Sequence, residues 1–436
     1  MQTSLETLGQ LERRLTMSVP VAQIETEINE RLARLAKNAK IPGFRPGKVP
    51  MRMIAQQYGP RVRSDVISEA VQTSFADAIR EQNLRVAGYP RIEPKNETAA
   101  PDRLEFHAVF EIYPEVTPAD LSDVRIDRPV TEVASADIDH TLDMLRRQRT
   151  RYENVTREAT LGDRVIVDFS GRIDGVAFPG GQASDFAIVL GEGRMLPEFE
   201  AAITGASAGD SRSFPLTFPA DYHGAEVAGK QAEFVLTVKS VAAPIVPDAD
   251  AEFARAFGIA SGSVDELRAE IESNLKLELK RKIEAKIKEQ VFAALRDRSQ
   301  FAVPKSLVDA ETQNMVQRMT TEAREQGVKA EDIKLTPDMF QASAEGRVRL
   351  GLVLAELVRA HGLTAKPEQV KALVQEAAQT YEQPEAVIRW HYEKPERLND
   401  FESLAVEHNV MEWALQRANV VDKPMPFAEV MGTTPS

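Results

Sequence analysis

No cysteine occurs among the 436 residues, which excludes disulfides, thiolate metal sites and a cysteine nucleophile and accords with a reducing compartment. Stability has to come from packing. Long apolar runs are missing as well. No stretch approaches the roughly 18 uninterrupted apolar residues that would cross a bilayer, and Met1 to Arg14 holds no run of signal-peptide length. The expectation is a cytoplasmic protein that meets no membrane. Histidine is sparse, and the six, at 107, 140, 223, 361, 391 and 408, show no metal-ligand spacing, so neither a metal nor a cofactor is expected. Positive charge is in deficit, leaving a net charge of −13, which argues against a general nucleic-acid binder, DNA included, because polyanions are held by clustered Lys and Arg.

What is present is size enough for two to four domains and one local exception to the acidic average. Arg31, Arg34, Lys37, Lys40, Arg45, Lys48, Arg52, Arg61 and Arg63 form a run without a single Asp or Glu between positions 31 and 63. On charge alone such a run is a solvated face. Its surroundings read as α+β. Leu11, Arg13, Leu15, Met17 and Val19 alternate as a half-buried strand, and Pro20 suits the first turn of the helix that Ile24, Ile28, Leu32 and Leu35 mark to about Ala39. A second helix carries Val62, Val66, Phe75 and Ile79. Leu104, Phe106, Ala108, Phe110 and Ile112 then alternate as a returning strand, closing a domain over residues 1–113.

Residues 114–149 predict a linker helix, marked by Ile138, Leu142 and Leu145, that runs to about Tyr152 and packs with the C-terminal body. Composition then shifts: positions 161 to 240 hold eleven of the 23 glycines, which implies short strands and tight turns over a module at 150–245. Val165, Val167 and Phe169 alternate, Asp174-Gly175 is a hairpin pair, and Phe234, Leu236 and Val238 form a last strand. Only Met195 to Ile203 reads helical there. Residues 246–436 read as all-α. Ser263-Val-Asp-Glu266 is a capping box opening a long helix with Leu267, Ile271, Leu275, Leu279, Ile283, Ile287, Val291 and Leu295. Pro304, Pro337, Pro367 and Pro395 each stand where a helix can start, and Met315 with Met319, or Leu350, Leu354 and Leu357, must pack on other helices or on a partner.

Two enzyme signatures fail on context. Gly205-Ala-Ser207-Ala-Gly209 fits a nucleophile elbow but precedes a strand instead of opening a helix. Gly43 to Lys48 is one residue short of a phosphate loop and ends in Val. The segment Gly43-Phe44-Arg45-Pro46-Gly47-Lys48-Val49-Pro50 carries more. Two glycines and two prolines fix a sharp loop between helices that thrusts Phe44, Arg45 and Lys48 outward, able to grip a phosphate backbone and an apolar protein patch together. On local chemistry alone, a plain turn with Phe44 folded inward fits equally well.

This loop resembles the Gly-Phe-Arg-x-Gly-x-x-Pro signature of the trigger factor family of ribosome-associated chaperones, with Pro46 at a variable site where relatives often carry Lys. The resemblance implies that Gly43, Phe44, Arg45, Pro46, Gly47 and Lys48 bind the ribosome near the exit tunnel, through a ribosomal protein and rRNA. The glycine-rich module resembles FKBP-type peptidyl-prolyl isomerases, an antiparallel β domain with a short helix. Phe169, Phe178, Phe186, the run Gly191-Glu-Gly-Arg-Met-Leu-Pro-Glu-Phe199, Tyr222 and Phe234 match that family's pocket in order, with Pro179 where many stand-alone members have Asp. The catalytic wall implied is Phe169, Phe178, Phe186, Met195, Leu196, Phe199, Tyr222 and Phe234. Such a pocket needs no nucleophile, because rotation about the peptide bond breaks no covalent bond. The helical remainder resembles the family's client-holding body with two arms. Taken over the whole chain, the resemblance implies a chaperone that binds nascent and unfolded polypeptides during synthesis, isomerises X-Pro bonds, is linked to export and cell division, and can form a homodimer when free. A free prolyl isomerase with recruiting flanks and an RNA-binding adaptor stay open as rivals.

Overall fold

The computed structural model describes residues 3–39, 42, 44, 48–95, 102–222, 224, 226–327, 334–379, 381 and 383–433. The chain divides into two compact units, residues 1–128 with 285–422 and residues 129–284 with 423–436. The first unit opens with β1 (Thr3–Thr7), β2 (Glu12–Pro20), α1 (Val21–Asn38), α2 (Met51–Glu81), β3 (Val86–Pro94) and β4 (Arg103–Ile112). The four strands make an antiparallel sheet in the order β1-β2-β4-β3. Alternation along β2 and β4 turns Leu15, Met17, Val19, Ala108 and Phe110 to one face. There they meet Ile24, Ile28 and Leu32 of α1 and Ile54, Val62 and Val66 of α2 in a single core. Pro20 closes the strand and stands just ahead of the helix, so it is the cap position and not the first turn. Pro60 lies inside α2 and has no N–H to give to the Gln56 carbonyl.

The second unit takes in the end of β5 (Arg125–Val130), then α3 (Ser135–Gln148), β6 (Arg151–Val155), β7 (Arg164–Ile173), β8 (Val176–Val189), α4 (Pro197–Ile203), β9 (Ser211–Thr217), β10 (Gln231–Ile245), α5 (Ala251–Ala256) and the start of α6 (Val264–Arg298). Helix α3 stops sooner than its apolar spacing suggests. The Arg149 and Thr150 amides tighten onto the Arg146 and Arg147 carbonyls at 3.0 and 3.1 Å, and Tyr152 enters β6 instead. Strands β6-β10-β7-β8 form one antiparallel sheet, with β9 also on β10. The β7–β8 hairpin turns at Asp174 and Gly175, with φ of 50° and 81°, the left-handed pair that a right-twisted hairpin requires. Apolar positions of α3, α5 and α6 (Ile138, Leu142, Phe253, Ala254, Leu267, Ile271) share a core of their own. The capping box at the start of α6 is rearranged. Ser263 Oγ accepts from the Glu266 amide at 3.3 Å, but the Glu266 carboxylate takes the Ser261 hydroxyl at 2.6 Å.

The first unit resumes along α6 and continues through α7 (Lys305–Glu325), α8 (Gln341–His361), α9 (Pro367–Ala378), α10 (Pro384–Tyr392), α11 (Asn399–Leu415) and β11 (Asn419–Pro424), and α12 (Phe427–Met431) lies in the second. Pro304 caps α7 and Pro367 opens α9, whereas Pro337 and Pro395 open single 3-10 turns. Among its described residues the C-terminal part forms helices and one strand, β11, which pairs with β5. Asn419 N–H reaches the Val124 carbonyl at 2.8 Å and Arg128 meets Asp422 at 2.5 Å. Within the first unit, the Glu111 carboxylate on β4 accepts from the Lys305 and Ser306 amides at 2.9 and 2.6 Å, satisfying donors at the start of α7 that lack a side-chain cap.

Candidate functional site

Strands β7, β8 and β10 deliver Phe169, Phe178 and Phe234 to one face of the sheet, and α4 lays Phe199 across them. Together with Met195, Leu196, Leu216, Phe218, Tyr222 and Val227 they enclose a cavity of about 560 Å³. The rings meet mostly edge to face: Phe169 with Phe199 at 5.2 Å and 83°, Phe199 with Phe234 at 5.7 Å and 81°, and Phe178 with Phe218 at 5.9 Å and 88°. This is the arrangement that aromatic quadrupoles favour. Two glycines make the packing possible. A Cβ at Gly171 would stand 2.6 Å from the Phe234 ring, and one at Gly181 2.9 Å from the Phe178 ring.

Seven of the eight residues expected in the wall line this cavity: Phe169, Phe178, Met195, Leu196, Phe199, Tyr222 and Phe234. Phe186 does not. It sits on β8 opposite Val167, edge-on to Phe169 at 5.7 Å and 39% exposed. Sequence reasoning passed over Phe218, which lines the cavity and meets Tyr222 at 4.8 Å, and Phe214, which stacks on Phe234 at 5.9 Å and 17°. Their signal was available, since Phe214, Leu216 and Phe218 alternate through β9 and beyond.

The rim loop before α4 is pinned from two sides. The Gly191 amide donates to the Glu200 carboxylate at 3.0 Å, and the Leu190 amide to the Asp163 carbonyl at 3.0 Å. The buried Asp163 carboxylate receives two N–H groups from Arg157, at 2.5 and 2.9 Å, and the Thr160 amide at 2.8 Å. The Arg157 guanidinium, aided by Thr160 and opposed by burial, holds Asp163 below the usual carboxylate range. Among the described residues no three His, Asp or Glu side chains come together as a metal site. What the cavity can do is hold an apolar, proline-sized group away from water. Ser207 lies in the turn before β9, where its amide bonds to Asp210 at 2.9 Å, so the apparent nucleophile elbow is a turn as expected.

The second candidate is the tip between α1 and α2. Phe44 is 39% exposed, Lys48 is exposed, and Val49 is buried among the helices. Gly43, Arg45, Pro46 and Gly47 lie outside the described residues. Arg31 pairs with Glu27 and Glu69, Arg34 with Glu30 at 3.2 Å, and Arg63 with Glu25 at 2.6 Å. Among the described residues Lys37, Lys48, Arg52 and Arg61 have no ion-pair partner within 4 Å, and exposed Leu35, Met51 and Met53 lie on the adjoining helix ends.

Comparison with known proteins gives a consistent result along the chain. The family model for bacterial trigger factor protein matches residues 1–145, that for its C-terminus residues 263–416, and that for FKBP-type peptidyl-prolyl cis-trans isomerase residues 155–254. Trigger factor of Dechloromonas aromatica (strain RCB) is 50% identical over 432 residues, covering 99% of each chain, and that of Aromatoleum aromaticum matches equally. A solved trigger factor chaperone covers 95% of this chain and 99% of its own at 15% identity, with a TM-score of 0.48.

Proposed function

The chain belongs to the trigger factor family, and from that premise we propose how its parts divide the work. The protein is a molecular chaperone carrying an FKBP-type peptidyl-prolyl cis-trans isomerase, from a family that binds the ribosome and nascent polypeptides. The loop Gly43 to Lys48 is the ribosome anchor, with Phe44 entering an apolar patch on a ribosomal protein and Arg45 and Lys48 meeting rRNA phosphates near the exit tunnel. The module at 150–245 turns X-Pro bonds, the helices of 246–436 hold clients, and residues 114–149 link them. The protein works in the cytoplasm and pairs with a second copy when off the ribosome.

The observation that carries the catalytic part is the aromatic cavity. Among the described residues its wall offers neither a Ser, Thr or Cys nucleophile nor a metal site, and prolyl isomerisation needs neither. The barrier of roughly 18–20 kcal/mol is lost amide resonance. A dry aromatic site disfavours the planar, charge-separated amide relative to the twisted one, so Phe169, Phe178, Phe199 and Phe234 lower the barrier by surrounding the proline ring. Turnover of a proline peptide by segment 150–245 tests this, and a folded but inactive fragment would defeat it. For the anchor, the measurement is ribosome pelleting of the full chain: Phe44→Ala with Arg45→Ala should abolish co-sedimentation, and binding that survives rejects the assignment.

A further inference from the structure

Among the described side chains lining the aromatic cavity, Arg194 alone carries a charge. It stands on the pinned rim loop, 82% exposed, with Nε 3.0 Å from the Glu192 carboxylate in an ion pair. A guanidinium presents five N–H donors in a planar fork. With Nε turned to Glu192, the terminal nitrogens can take a second carboxylate, and an ion pair this open to water is weak enough to be shared. Apart from the Tyr222 hydroxyl, the other described side chains of the wall are apolar, so among them Arg194 offers an acidic side chain of a bound peptide its one cationic partner. The chain's net charge of −13 opposes such a ligand elsewhere and makes a cationic rim the point of discrimination.

We propose that Arg194 sets substrate preference by reading the charge of the residue beside the isomerised X-Pro bond, favouring Asp or Glu over Lys, a role that rests on reading this cavity as the isomerase site. Discrimination lies in peptide binding, hence in KM more than in kcat. The test uses the full chain and peptides with Glu, Gln or Lys immediately before or after the proline. In the wild type the Glu:Gln ratio of kcat/KM should be about two to five at low salt for one placement, the factor an exposed ion pair supports, falling toward one as salt rises. R194Q should bring that ratio to one, R194E below one, and R194K should keep it above one. Each ratio is taken within one protein, so a general loss of turnover cancels. A wild-type ratio of one in both placements, or a preference that persists in R194Q, overturns the proposal. So does an R194Q chain with no turnover at all, because the role would then exceed charge reading. The site itself is tested apart, on the Gln peptide with Phe234→Ala: undiminished turnover there removes the cavity as the site, whatever the ratios show.

Discussion

Phe234 ties the aromatic cavity together, with the rings of Phe169, Phe178, Phe199, Phe214 and Phe218 centred between 5.7 and 6.5 Å from its own. Truncation to alanine should cost about 3–5 kcal/mol and abolish peptide turnover. Phe234→Leu keeps most of the volume, so it should remain folded while kcat/KM falls. Thermal unfolding beside a turnover assay checks both, and a fully active Phe234→Leu chain would show that ring faces are not needed. Asp163 offers a test of a different kind. Because its folded pKa lies below its unfolded one, its stabilisation is complete above the ordinary carboxylate pKa of about 3.9. That stabilisation drains away as pH falls through this value toward the folded pKa. Asp163→Asn should therefore lower the isomerase melting transition at pH 7 by an amount equivalent to about 1–3 kcal/mol. The gap to wild type should close below pH 4, and one that stays constant to pH 3 would contradict the sign.

The longer elements were legible because apolar period and burial coincide. Leu15, Met17 and Val19 alternate into a core that Ile24, Ile28 and Leu32 enter at helical spacing, so β2 and α1 announce themselves. The strands that escaped notice owe their existence to remote partners. β1 holds one large apolar residue, Leu5, which becomes a strand residue by facing Leu15, and β11 pairs with β5, across the span from Arg128 to Asp422. The wall was legible as an ordered set of aromatics, but Phe186, which shares a sheet face with Val167 and meets Phe169 edge-on, stands beyond the register shift between Val167 and Phe169 and outside the cavity lining, which local pattern does not reveal. The contact between the N-terminal sheet and α7 is likewise invisible in sequence. Gly88 has φ +74°, and a Cβ there would come within 2.7 Å of the Ser306 Cβ, while Ser306 Oγ donates to the Ala87 carbonyl at 3.0 Å. Gly88→Ala meets both a left-handed backbone and a clash, so it should destabilise by more than about 1 kcal/mol. Glu111→Ala, which strips the α7 start of its acceptor, should cost about 1 kcal/mol. Urea unfolding followed by a probe in the first unit measures each, and a neutral Gly88→Ala would refute the close approach.

Across the whole molecule, the proposed division of work assigns holding clients and turning prolines to surfaces of opposite character. The aromatic cavity is enclosed and shaped, whereas the helices of the first unit leave Met319, Met339, Trp390, Tyr392 and Leu404 between 36% and 65% exposed. Exposed apolar side chains are individually ordinary. Exposed methionines and aromatics on helices suit contact with unrelated unfolded sequences, since such contact is non-directional and the thioether adapts to its partner. Of Met319, Met339 and Leu404 only Met339 is more than half exposed, so replacing the three together with serine should cost about 1 kcal/mol at each of the other two and less than about 0.5 kcal/mol at Met339. Peptide turnover should stay at the wild-type level while suppression of aggregation of an unfolded client weakens severalfold. Deleting 150–245 should do the reverse, removing turnover and leaving suppression. If the triple variant suppresses aggregation as well as wild type while the deletion cannot, the client surface lies in the isomerase, and the helical residues are exposed for no reason connected with clients.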